Sequence, residues 1–149
     1  MSFQIRPASL LDLHALTALF DGYRQFYGQP PDLARAGDFL AERIGREQSL
    51  ILIAQNESGE ALGFTQLYPA FSSVRMVRTW LLNDLFVAPP ARRQGVAASL
   101  LREAAELARA RGAASLSLST ALDNVAAQAL YESLGWVRDR QFCEYALSL

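Results

Sequence analysis

The chain has 149 residues, of which 51% are hydrophobic and 19% charged, and its net charge is −1 at pH 7; this is ordinary globular composition, and the length suits one domain spanning residues 1–149. A charge so close to zero gives no reason to expect a nucleic-acid partner, and no apolar run approaches the length needed to cross a membrane. The single cysteine excludes a disulfide framework, and together with an N-terminus that lacks a signal-peptide core it predicts a cytoplasmic protein.

The first third of the chain predicts one short strand and two helices. Residues 3–6 alternate in hydrophobicity and stop at a proline, which is typical of a short strand. Ser9 can cap a first helix, and Asp32 can start a second helix after a Gly- and Pro-containing breaker. His14, the only histidine, lies on the first helix and is predicted to be a surface or packing residue, because no partner for a histidine base is evident.

Residues 49–68 predict a β-hairpin. Residues 49–55 have a continuous apolar centre, residues 56–60 carry a turn signal, and residues 61–68 can pair back. Residues 69–73 contain a proline and two serines and are predicted to end the second strand.

The most informative stretch runs from residue 80 to residue 101. An apolar run from Trp80 to Val87 predicts a buried strand, interrupted by the polar pair Asn83 and Asp84. Two prolines stop this strand, and a basic turn containing Gly95 leads into an Ala- and Leu-rich helix. The first amides of a helix lack internal partners and carry partial positive charge, so a strand, basic turn and helix N-terminus suit a phosphate group. The alternative is that the arginines of the turn are simply solvated.

The helix that follows has one apolar stripe and ends near Gly112. Residues 114–119 alternate as a strand, and a strand–helix–strand unit predicts a parallel pair with a right-handed crossover.

The last 30 residues predict one helix and two strands. Asp123 or Asn124 can cap the helix. Residues 137–138 and 142–147 are predicted to complete the sheet. Cys143 is expected to be a structural residue of the last strand, because no basic or metal-binding neighbour suggests a reactive thiolate.

Two landmarks resemble the GCN5-related N-acetyltransferase (GNAT) family. Arg92-x-x-Gly95-x-Ala97 fits the family's acetyl-CoA signature Q/R-x-x-G-x-G/A. The segment from Asn124 to Trp136 fits N-x-x-A-x-x-L-Y-x-x-x-G-F/W. The resemblance covers nearly the whole chain, and the two landmarks in this order are far more specific than the first alone. It implies an α/β fold with a mixed, splayed β-sheet flanked by about four helices.

The resemblance also implies acetyl-CoA as co-substrate, with no metal and no covalent intermediate. The main chain of the central strand would pair with pantetheine, the turn and helix start would hold the pyrophosphate, and two residues near the second landmark would contribute further contacts. The residues implied to bind the cofactor are Leu85, Phe86, Val87, Arg92, Arg93, Gln94, Gly95, Val96, Ala97, Ala98, Ser99, Asn124 and Tyr131.

Three residues are candidates for catalytic roles. Tyr131 matches the family's general acid and stays protonated at pH 7, so it can donate to the leaving thiolate. Asp84 is the first candidate for the base that receives the amine proton, directly or through water. Asn83 stands where many relatives carry a glutamate, and because an amide cannot take a proton it could instead orient the substrate.

The acceptor is expected to be a primary amine of a small molecule, such as a polyamine or an amino acid. Five residues are candidates to bind it: Tyr23, Phe26, Tyr27, Tyr68 and Asn83. Phe39 belongs with the same aromatic group, which could equally be core. A protein lysine or N-terminus is the alternative acceptor. A non-catalytic acyl-CoA-binding module is the alternative function, and a homodimer is possible by analogy with relatives.

Overall fold

The fold is built on one five-stranded sheet, and the computed structural model describes residues 2–149. The strand order is β1–β2–β3–β4–β5. The first four strands pair antiparallel with their neighbours, whereas β5 runs parallel to β4. The strands are β1 Phe3–Pro7, β2 Leu50–Asn56, β3 Ala61–Ser72, β4 Val77–Val87 and β5 Leu116–Ser117. This mixed sheet with four helices confirms the predicted fold class.

Four α-helices accompany the sheet: α1 Leu13–Phe26, α2 Leu33–Gly45, α3 Val96–Ala110 and α4 Val125–Ser133. The predicted caps are present in the structure. Ser9 forms a capping box with Asp12 over a short 3-10 turn that precedes α1. The Asp32 carboxylate accepts from the Arg35 amide at the start of α2, at 3.1 Å. None of the helices within residues 2–149 is long and apolar enough to span a bilayer.

The core lies between the sheet and the helices α1 and α2. Leu16 and Leu40 from the helices pack with Ile53 and Phe64 from the strands, and all four side chains are buried. The helix α3 packs on β2, β3 and β4 through its predicted apolar stripe, which includes the buried Leu100. His14 is exposed, as predicted.

The strand β3 is longer than the sequence predicts. Residues 69–73 were expected to end it, but β3 continues through Pro69, whose partner on β4 is Trp80. The neighbouring strand β2 pairs with β3 only as far as Leu67. Pro69 is tolerated because it lies where β3 pairs on one side only, and proline without a donor is compatible with such an edge.

The chain divides into two units, Met1–Ser119 and Thr120–Leu149. In the second unit, the prediction that residues 137–138 and 142–147 form strands is wrong, because no strand lies in that unit. Asp139 accepts from the Gln141 amide at 2.9 Å, and such local bonds compete with strand pairing. Cys143 is exposed and therefore not a buried strand residue. In the first unit, the strand predicted over residues 114–119 shortens to Leu116–Ser117. The single domain remains a prediction.

Candidate active site

The strand β4 contains a β-bulge at the polar pair Asn83 and Asp84. Gln66 of β3 pairs with Asp84, and the next β3 residue, Leu67, pairs with Leu82. Asn83 therefore has no partner in the register and is the extra residue of the bulge. Bulges bend a strand and re-aim its side chains, and they are frequent beside active sites. Because of this bulge, two consecutive residues of β4 face the same cleft instead of opposite sides of the sheet.

Asp84 is a buried carboxylate held by two side-chain amides, with the Tyr23 hydroxyl nearby. Its side chain is 3% exposed. Gln66 Nε2 donates to its Oδ2 at 2.5 Å, and Asn83 Nδ2 donates to its Oδ1 at 2.9 Å. The Tyr23 hydroxyl lies near the same carboxylate and donates to the Asn83 carbonyl at 3.1 Å. A carboxylate offers about four acceptor positions, so the two amide donors leave room for at least one more N–H or O–H group.

Burial raises the pKa of Asp84 above its usual value, although Gln66, Asn83 and Tyr23 oppose the increase by stabilising the ionised form. The same burial raises the pKa of Tyr68 to about 12, and the charge of Asp84 adds to the effect. The pKa of Tyr23 is also raised, chiefly by burial and next by Asp84. Both tyrosines are therefore protonated donors at neutral pH, and Asp84 is the acidic group best suited to accept a proton there.

A cleft of about 420 Å³ opens above Asp84. Four of the five predicted substrate-binding residues line it: Tyr23, Tyr27, Tyr68 and Asn83. The fifth, Phe26, is not part of its lining; its ring packs edge-on against Tyr27 instead. Aromatic rings form much of the wall, with Phe39 stacked on Phe20 at 5.6 Å between ring centroids. The volume and the mixture of aromatic and polar groups are typical of a small-molecule site.

The turn between α1 and α2 is held by a second buried carboxylate, Asp21. It accepts from Arg24 Nη1 at 2.7 Å and from the Asp32 amide at 3.0 Å. The pKa of Asp21 is lowered, first by the hydrogen bond from the Asp32 amide and then by Arg24. The ionised carboxylate thus ties the end of α1 to the start of α2, and these two helices form one wall of the cleft.

Beyond Leu81, the strand β4 has no partner on its β5 side. The parallel pairing consists of Trp80 with Leu116 and Leu81 with Ser117 only. The backbone of Leu85, Phe86 and Val87 continues past this point, while its other side stays paired with β3. Unpaired strand groups of this kind can accept an extended ligand as a further strand. The splayed sheet thus supplies the edge that the resemblance assigns to pantetheine.

The loop after β4 presents backbone to open space. Gly95 has φ of +82°, and a Cβ built there would meet no atom within 4 Å. Arg93 also has a positive φ of +63°. Helix α3 starts at Val96 without a side-chain cap, so the amides of Val96, Ala97 and Ala98 at its start are free to face a ligand. The positive φ, and not a steric contact, therefore favours glycine at position 95. The open space beside it suits a pyrophosphate.

The arginine that opens the motif is anchored to the strand. Arg92 Nε donates to the Val87 carbonyl at 2.9 Å. Its guanidinium also lies over the rings of Phe86 and Phe26, at 5.5 Å and 5.9 Å from the centroids. Arg92 thus fixes the loop to the end of β4, and Arg92, Arg93, Gln94 and Gly95 are all exposed. Ala97, Ala98 and Ser99, in the first turn of α3, are partly buried.

The second landmark lies in the unit Thr120–Leu149. The Asn124 side chain caps α4 by accepting from the Ala127 amide at 3.3 Å. Tyr131 is partly buried on α4, and its ring centroid lies 6.2 Å from that of Trp136. Asn124 therefore has a structural role as a cap in addition to any role toward a ligand.

Sequence reasoning missed several residues of the cleft. Gln66 is fully buried. Its Oε1 accepts a hydrogen bond from the Ser49 hydroxyl, and its Nε2 donates to Asp84. The only sequence signal for Gln66 was a polar residue within the apolar strand β3. Its pairing with Asp84 depends on the register between β3 and β4. Arg24 and Arg35 also line the cleft. Nothing in the sequence distinguishes them from the other surface arginines.

The chain is similar to known proteins along nearly its whole length. The model of the Acetyltransferase (GNAT) family matches residues 13–136. The chain is 47% identical to the uncharacterized N-acetyltransferase YhfO of Bacillus subtilis (strain 168), over 97% of both chains. A solved structure of a probable acetyltransferase superposes with a TM-score of 0.93 at 42% identity, covering 98% of this chain and 97% of that one. An aminoglycoside N(6')-acetyltransferase type 1 of Klebsiella aerogenes is 33% identical over 70% of this chain and 69% of its own length.

Proposed function

Because the chain belongs to the GNAT family of acetyltransferases, we propose that it transfers the acetyl group of acetyl-CoA directly to the primary amine of a small molecule. The observation that carries this proposal is the division of β4. Asn83 and Asp84 line the side-chain cleft, and the next residues, Leu85 to Val87, offer an unpaired strand edge. One strand would therefore contact the acceptor amine through its side chains and the extended thioester through its backbone.

The donor side fits acetyl-CoA through its backbone. Amides at the start of α3 would hold the pyrophosphate, and the edge of Leu85 to Val87 would pair with pantetheine. Acetyl-CoA, when bound, supplies an activated thioester. A main-chain N–H of β4 aimed at the thioester carbonyl would stabilise the negative charge that develops on its oxygen.

The acceptor must lose a proton before it can attack. For an alkylamine of pKa about 10.4, deprotonation at pH 7 costs roughly 4.6 kcal/mol, whereas for an α-amine near 8 it costs about 1.4 kcal/mol. Asp84, with its raised pKa and one open acceptor position, is the group that would take this proton. Asn83 would orient the acceptor, since its amide cannot act as a base. Tyr131 would donate to the leaving thiolate, a role carried over from the family motif.

Thermal unfolding with and without acetyl-CoA, followed by thiol release with a panel of amines, tests this function. At about 100 times Kd, binding should stabilise the fold by roughly 2.7 kcal/mol, a rise in Tm of about 5–10 °C for this length. A rise with amine-dependent thiol release supports the enzyme. A rise without release with any amine favours the acyl-CoA-binding module. No rise would refute the donor site.

A further inference from the structure

The charges that line the acceptor cleft are unbalanced. Asp84 is the only carboxylate among the described residues that line it, and two arginines, Arg24 and Arg35, line it as well. The carboxylate is buried and already accepts hydrogen bonds from Gln66 and Asn83, whereas Arg35 is exposed at the start of α2. The cleft therefore has one acidic, enclosed end suited to an amine and a more open part with net positive charge.

The two arginines are not equivalent. Arg24 Nη1 donates to Asp21 at 2.7 Å and to the Pro30 carbonyl at 3.1 Å, so its charge is neutralised within the fold. The guanidinium of Arg35 has neither an ion pair nor a hydrogen bond to any group in residues 2–149. Only its backbone amide is engaged, with Asp32. Arg35 is thus the cation of the cleft that is available to a ligand.

We infer that the acceptor is a zwitterion of the amino acid class, whose amine is received by Asp84 and whose carboxylate is bound by Arg35. Guanidinium groups bind carboxylates in a planar, two-point geometry that an amide or a second amine cannot match. The rings of Tyr23, Tyr27 and Phe39 would contact the hydrocarbon part of the acceptor. This inference rests on the proposed function and narrows its substrate class.

The same charges act against polycationic acceptors. A polyamine or an aminoglycoside would bring further ammonium groups close to Arg35, where like charges repel. The cleft holds one carboxylate, which can receive one amine but cannot neutralise several. The charge of this cleft therefore disfavours an aminoglycoside as the acceptor.

The test compares free amino acids with the corresponding amino acid amides, and with spermidine, in the thiol-release assay. The amide's amine is less basic and so more often neutral, which favours the amide chemically. We nevertheless expect the wild-type protein to show a kcat/KM about ten- to a hundredfold higher for the acid, the range for losing a charge-assisted hydrogen bond.

Arg35→Gln should abolish this preference by lowering kcat/KM for the acid alone. Arg46→Gln, on an exposed arginine at the other end of α2, is the matched control and should preserve it. Titration of the best amino acid into each protein without acetyl-CoA gives a second readout, in which only Arg35→Gln should weaken binding. The fold should tolerate the change because the capping bond uses the backbone amide of residue 35.

Three results would overturn the inference while leaving the acetyltransferase intact: faster release with amides, faster release with spermidine, or an unchanged preference in Arg35→Gln. Absence of thiol release with every amine would instead refute the proposed function itself, and with it the zwitterionic acceptor.

Discussion

The two sides of the candidate site are built in different ways. On the donor side, the groups proposed to bind acetyl-CoA are backbone: an unpaired strand edge, a glycine with positive φ and the first amides of a helix. On the acceptor side they are side chains drawn from α1, α2, β3 and β4 around one buried carboxylate. A backbone site suits a co-substrate that never changes, whereas a side-chain site can be altered residue by residue to suit a different amine.

This difference predicts that variants on the two sides will have separable effects. Asp84→Asn should leave acetyl-CoA binding unchanged and lower kcat by about 10²–10⁴-fold, the usual contribution of general acid–base catalysis. In the wild-type protein, kcat/KM should rise with pH through the raised pKa of Asp84, and this limb should disappear in the variant. An unaltered pH profile would show that another group is the base.

Asp84→Asn should also change how the stability of the fold depends on pH. Because folding raises the pKa of Asp84, the stability contributed by its neutral form is fully present below about pH 3.9, the unfolded value. That stability is lost as the pH rises through the folded-state pKa. Asparagine is neutral throughout, so the Tm difference should widen in favour of the variant as the pH rises.

On the donor side, Gly95→Glu should abolish acetyl-CoA binding. Loss of phosphate hydrogen bonds worth about 1.5–3 kcal/mol each, with added charge repulsion, should weaken Kd by at least about a hundredfold. Gly112→Glu is the matched control, since Gly112 has φ of +79° and equally open space at the other end of α3. Equal losses in both variants would attribute the effect to backbone strain and contradict the pyrophosphate site.

The donor side could be proposed from sequence because backbone sites leave short, contiguous motifs. Gly95 and the helix start were identified from one turn of the chain. The acceptor side was only partly predictable, since its residues are far apart in sequence. The bulge at Asn83 and the pairing of Gln66 with Asp84 depend on strand register, which the apolar pattern of β3 and β4 does not determine. The apolar alternation of residues 142–147 also predicted a strand that is absent from the structure.

Tyr131→Phe tests the one side chain that the family motif assigns to the donor reaction. Removing a hydrogen bond to a developing charge costs about 1.5–3 kcal/mol, so kcat should fall roughly ten- to a hundredfold. The ring, and with it the contact with Trp136, is retained. Kd for acetyl-CoA should change far less. A variant with normal kcat would show that the leaving thiolate is stabilised by other groups.

The smallest effect is expected where the two sides meet, at Gly63 of β3. A Cβ there would lie 2.7 Å from the Phe86 carbonyl oxygen, so Gly63→Ala must shift β4 beside Leu85 to Val87. Overpacking of this kind costs about 1–3 kcal/mol of stability. Gly37→Ala, on α2, is the control, because its Cβ would make an ordinary contact with Thr17 of α1 at 3.5 Å. Alanine within a helix should raise the free energy of unfolding by up to about 1 kcal/mol.

Because Gly63 lies against the donor edge, its variant should also weaken acetyl-CoA binding, whereas Gly37→Ala should not. If Gly63→Ala lowers Tm but leaves Kd for acetyl-CoA unchanged, the edge of Leu85 to Val87 does not hold pantetheine. In that case the donor would depend on the α3 start alone. If both stability and Kd change, the close approach of β3 and β4 is what keeps the donor edge in place beside the acceptor cleft.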